Sequence, residues 1–155
     1  MRKNGMRAWC YRYVDKLLFN EEKIRLEVES IRNDRHSERV GGGGNAFISD
    51  PTATTALANI KPIDHVTIDG VVYRQPEKWL KLLAHIKSQC CDIEREVYNA
   101  KYTKKIGVEQ ALDELHISRT TYFNIVDGIK GYAVELGCQE GLLMVCRLEG
   151  NNNDR

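Results

Sequence analysis

The stretch Leu115-His116-Ile117-Ser118-Arg119-Thr120-Thr121-Tyr122-Phe123-Asn124 holds the side chains best suited to chemistry in this 155-residue chain, and that chemistry is recognition. Arginine pairs with the edge of guanine, asparagine with adenine, and threonine or phenylalanine touches a thymine methyl. On a helix, Arg119, Thr120, Phe123 and Asn124 share one side, with Thr121 at its margin. Ser118 is a good N-cap for that helix. The cap matters because a recognition helix presents its first turn to base edges, so its start must be fixed.

The elements that would position these residues are a helix, a turn and a second helix. Val108, Leu112 and Leu115 line one face of a short helix, and His116-Ile117 makes a tight turn. Tyr122, Ile125 and Ile129 are expected to form the buried face of the second helix. This is the helix-turn-helix pattern, whose second helix can lie in a major groove. The plainer alternative is an ordinary amphipathic pair at the edge of a bundle. Between Ile106 and Leu136 two cations, Arg119 and Lys130, face five anions, a net of −3. Phosphate contacts must then come from elsewhere: Lys101, Lys104 and Lys105, or the early cations Arg2, Lys3, Arg7 and Arg12. Weak binding by a monomer, compensated by dimerisation or a protein partner, fits this distribution.

Enzymatic readings find little. No H-E-x-x-H, G-x-S-x-G or Walker lysine is present, so no catalytic residue and no cofactor are expected. Cys10, Cys90, Cys91, Cys138 and Cys146 are an odd set without a C-x-x-C pair. They read as reduced thiols, with Cys90 a small buried hydrophobe and no metal site. Twenty-three Lys/Arg against 22 Asp/Glu give a net charge of +1, so bulk charge announces neither nucleic acid nor membrane. No apolar run is long enough to cross a bilayer, and no signal-peptide core follows Met1-Arg2-Lys3. A cytoplasmic address is expected.

The chain before the helix pair divides by composition into residues 1–40 and 41–75, with 76–150 carrying the long helix and the helix-turn-helix. Residues 151–155 are expected to form a disordered tail. From Met6 to Arg35 the apolar residues repeat every seven: Cys10, Leu17, Ile24 and Ile31 in one column, Val14 and Val28 beside it, with Glu21 as a polar fault. That predicts an N-terminal amphipathic helix, either packed on the rest of the chain or forming a homodimer through residues 6–35. Gly41-Gly42-Gly43-Gly44 reads as a flexible hinge, and Pro51 to Asn59 as a short helix. Asp69-Gly70 between two β-branched runs predicts a hairpin from His65 to Tyr73, with His65 an exposed strand residue. Pro76 opens a long helix to about Tyr102, roughly 40 Å of rod at 1.5 Å per residue. The fold class is mainly α with one small β-hairpin.

The order of these parts resembles the ArpU and RinA families of phage late-gene transcriptional regulators. It rests on the N-terminal helix, the Gly41–Ala58 segment, the long helix ending near Tyr98 and Tyr102, and the region from Leu115 through Tyr122 to Gly137. The resemblance implies a helix-turn-helix like that of sigma-factor region four. It further implies binding to promoter DNA upstream of packaging, structural or lysis genes in a phage or prophage, and activation beside the host RNA polymerase. Relatives carry Lys/Arg through the second helix where this chain has Asn124, Asp127, Gly128 and Gly131. A small-terminase-like packaging subunit and a protein-binding helical module contacting the transcription machinery are the alternatives.

Overall fold

A computed structural model describes residues 2–37 and 61–143. The hinge expected at Gly41–Gly44, the short helix at Pro51–Asn59 and the tail 151–155 lie outside the described residues. The protein is mainly helical with one small hairpin. In order come α1 (Arg2–Phe19), α2 (Glu21–Ser37), β1 (His65–Ile68), β2 (Val71–Arg74), α3 (Pro76–Gln89), α4 (Asp92–Tyr98), α5 (Val108–Leu115) and α6 (Arg119–Gln139). A five-residue π-helical turn, Asn99–Thr103, continues α4. The chain forms two compact units, residues 22–77 and residues 1–21 with 78–155.

In the first of these units the hairpin forms as the sequence predicts. β1 and β2 pair antiparallel in the register His65↔Arg74, Val66↔Tyr73 and Ile68↔Val71. Asp69 and Gly70 both have positive φ, +51° and +78°, as a type I′ turn demands. Val66, Ile68 and Tyr73 are buried, while His65 is exposed beside Asp64. A two-stranded hairpin needs a covering element, and α2 supplies buried Ile24 and Val28 to this unit. Arg32 Nε donates to Glu77 Oε1 at 2.7 Å, and Lys23 pairs with Asp69 at 2.8 Å.

The N-terminal helix expected as one segment is two. It breaks at Asn20, whose N–H donates the last bond of α1 to Lys16 at 3.0 Å. The physical reason is Glu21. Far from being a fault on the seam, Glu21 is only 8% exposed, and its carboxylate accepts from Tyr98 Oη and Lys87 Nζ, each at 2.6 Å. Cys10 and Leu17 of the seven-residue column and Val14 beside it are fully buried within the chain itself, as is Leu18.

The 40 Å rod is also absent. It is interrupted at Cys90-Cys91, where Cys91 turns extended and α4 starts afresh. The Glu94 carboxylate accepts from the Cys91 N–H at 2.9 Å, and Arg95 donates to the Cys90 carbonyl at 3.0 Å. These local bonds satisfy groups that a continuous helix would have paired, so the break is tolerated. It lets α3 and α4 address different neighbours. α3 contributes Trp79, Leu83 and Ile86 to the core, with Tyr13 of α1 tilted against Trp79 at 6.1 Å. α4 packs on α5 and α6, and α1 packs on α6 and the π-helical turn.

Candidate nucleic-acid interface

α5 and α6 are joined by three residues, His116, Ile117 and Ser118. His116 ends α5 in the left-handed region, at φ +53°, a conformation that non-glycine residues adopt uncommonly. Ser118 then caps α6 as expected: its Oγ accepts the Thr121 N–H at 3.1 Å. The same Oγ lies 2.9 Å from the Thr121 hydroxyl, so Thr121 belongs to the cap.

Beneath this turn lies a small core of Val97, Ala100, Ala111, Tyr122 and Val126. Leu112, Leu115 and Ile117 pack around it, half-buried. Two details correct the expected stripe. Ala111 is the fully buried residue of α5, with Val108, Leu112 and Leu115 flanking it, because the helix approaches closest at its smallest side chain. On α6 the buried line is Tyr122, Val126, Ile129, Ala133 and Gly137, and Ile125 is only half-buried. The 3.6-residue period carries the contact through position 126.

The opposite side of α6 is exposed. Arg119, Thr120, Phe123 and Asn124 all lie there, on one solvent-facing surface. Phe123 is 40% exposed and meets the Tyr122 ring edge-on at 5.4 Å. Arg119 forms an ion pair with Glu109 of α5, both side chains being largely exposed. Exposed pairs of this kind contribute about 0–1 kcal/mol, so a stronger anionic or base-edge acceptor can displace Glu109.

Lys130, expected on the DNA side of the second helix, and the three expected phosphate-facing lysines, Lys101, Lys104 and Lys105, are not equivalent. Lys130 is mostly covered and sits 3.5 Å from Asp127. Lys101 lies over the Tyr102 ring at 5.5 Å from its centroid, and Lys105 over Phe19 at 4.3 Å. Lys105 also has positive φ, +57°. Lys104 is exposed, and among the described residues its ammonium has no carboxylate or ring partner.

Behind the helix pair, two tyrosines tie α4 and its π-helical turn to Glu21 at the start of α2 and to Asp15 of α1. Tyr98 donates to Glu21, and Tyr102 donates to Asp15 at 2.8 Å; the two rings meet edge-on at 5.3 Å. Burial, then the hydrogen bond to Glu21, raises the Tyr98 phenol well above its ordinary range. Burial and the Asp15 charge do the same to Tyr102, and burial raises Tyr122. Sequence reasoning missed these partners and the Glu109–Arg119 pair. One signal was available: an acid at position 21 on an otherwise apolar seam demands a buried donor.

No known protein family, characterised protein or solved structure matches this chain.

Proposed function

We propose that the chain is a sequence-specific double-stranded DNA-binding regulator that reads its site with α6, as its resemblance to the phage late-gene regulators implies. One observation carries this. The first turns of α6 are fixed from below by Tyr122 and Val126 and at the start by the Ser118 cap, yet they expose Arg119, Thr120, Phe123 and Asn124 together. A rigid, capped helix start with outward arginine and asparagine is what base-edge reading needs. Lys104 and Lys105 beside the helix pair, and exposed Arg7 and Arg12 on α1, supply the phosphate attraction that the acidic helix pair lacks. With so few free cations, affinity without a partner is modest. The host RNA polymerase, in the cytoplasm of a bacterial cell, is the partner that this role requires.

A second reading is favoured by the exposed Phe123 and by the five carboxylates that the sequence carries between residues 106 and 136: α6 contacts a protein of the transcription machinery instead of DNA. Selection from a randomised duplex library by the purified full-length chain separates the two. Enrichment of one short motif, with affinity that falls steeply with salt, supports DNA reading. A library that stays random after repeated rounds removes it in favour of the protein partner.

A further inference from the structure

We infer that a cleft between α3 and the C-terminal end of α6 binds a small amphipathic carboxylate, a molecule with an apolar body and one anionic end. The inference is independent of what α6 reads at its other end, about 25 Å away along the helix.

The cleft is built from two turns of α3 and a chain reversal. Lys78, Lys81, Leu82 and His85 recur at helical spacing and form one stripe of α3. Opposite them, α6 ends in a Schellman arrangement. The Leu142 N–H donates to the Gly137 carbonyl at 2.8 Å and the Gly141 N–H to Cys138 at 3.1 Å, with Gly141 at φ +71°. This reversal makes Leu136 and Leu142 lining residues of the same cleft, with Glu140 at its rim. Next to the cleft, a Cβ at Gly137 would lie 2.6 Å from the edge of the Trp79 ring, so this ring of α3 packs on α6 more closely than a side chain at 137 would permit. The resulting volume is about 420 Å³, within the size range of small-molecule sites.

Its chemistry selects the occupant. Leu82, Leu136 and Leu142 offer an apolar floor. Among the described residues neither Lys78 nor Lys81 has a carboxylate partner, so two ammonium groups at the cleft stand uncompensated against the single Glu140. An apolar body with a carboxylate satisfies both parts. A neutral alcohol leaves the lysines unpaired, and an amine is repelled by them.

The test is titration of the ¹⁵N-labelled full-length chain with octanoate, octan-1-ol and octylamine, followed by amide shifts. Octanoate is expected to move the amides of 78–85 and 136–142 saturably and to bind most tightly. The exposed double change Lys78→Gln with Lys81→Gln should weaken octanoate about tenfold and leave octanol unchanged. Equal binding of the three compounds, shifts centred elsewhere, or no saturable shift overturns the proposal. So does a chain ending at Leu143 that binds octanoate when the full-length chain does not, since residues 144–155 would then be the occupant.

Discussion

The two sides of α6 use one helix for opposite purposes. Its inward line, Tyr122, Val126, Ile129, Ala133 and Gly137, is nearly dry and is packed by α1, α4 and their tyrosines. Its outward side, from Arg119 to Gly128, carries polar groups, one exposed ring and a glycine with open space around it. The inward residues end in Ala133 and Gly137, and at Gly137 the Trp79 ring packs where a Cβ would lie. Stability is thus concentrated on a line that contacts no candidate ligand, and the outward side can change without unfolding the protein.

The strongest way to break this contrast is Tyr122→Ala. Removing a fully buried aromatic from the small core should destabilise by about 3–5 kcal/mol, read by urea denaturation. An unchanged midpoint would mean that the inward line is not where stability resides. Tyr98→Phe comes next. It deprives the buried Glu21 carboxylate of a donor, an expected loss of about 1.5–3 kcal/mol.

The same tyrosines fix an alkaline limit. In the unfolded chain their phenols ionise near the ordinary value of 10.0, whereas in the folded chain burial and the facing carboxylates hold Tyr98 and Tyr102 protonated above it. Above that pH the unfolded state has released protons that the folded state retains, so stability is fully present below it and falls as pH rises. Phenolate absorbance should therefore appear in two stages, the later one coinciding with loss of helical circular dichroism. A single early stage that includes all seven tyrosines without unfolding contradicts the burial of this pair.

Two glycines of α6 sharpen the comparison at smaller scale. Gly137→Ala forces its Cβ against Trp79 and Leu143, which should destabilise by about 1–3 kcal/mol. Gly128→Ala meets nothing within 4 Å and lies on the exposed side, so it should stabilise by about 0.5–1 kcal/mol through helix propensity alone. Opposite signs from the same substitution on one helix, measured by thermal melting, are the expected signature.

The legible parts of the fold were those set by local rules. Asp69-Gly70 dictates its turn, Ser118 its cap, and Tyr122 the inward side, because each depends on residues within a few positions. The breaks at Asn20 and Cys90-Cys91 were not legible. Both rest on partners distant in sequence or on backbone bonds that a periodic pattern conceals: Glu21 is claimed by Lys87 and Tyr98, 66 and 77 positions away. Seven-residue spacing continued across both breaks, since residues on either side remain buried even when the helix does not. At the candidate site, which residues face out could be read from period, but their pairing could not. Arg119 with Glu109 and Thr121 with the cap are consequences of how the turn at His116 brings α5 against α6.

The most direct measurement is fluorescence anisotropy on a duplex chosen by library selection, comparing Arg119→Ala, Asn124→Ala and Lys104→Ala with the parent across a salt series. All three positions are exposed, so folding should change by no more than about 0.5 kcal/mol. Loss of Arg119 or Asn124 should relax discrimination at one or two base pairs, by about 1–3 kcal/mol each. Loss of Lys104 should weaken all sequences alike and reduce the salt slope by about one. Parent-like affinity and specificity in both Arg119→Ala and Asn124→Ala would contradict the account, because the outward side of α6 would then read no DNA.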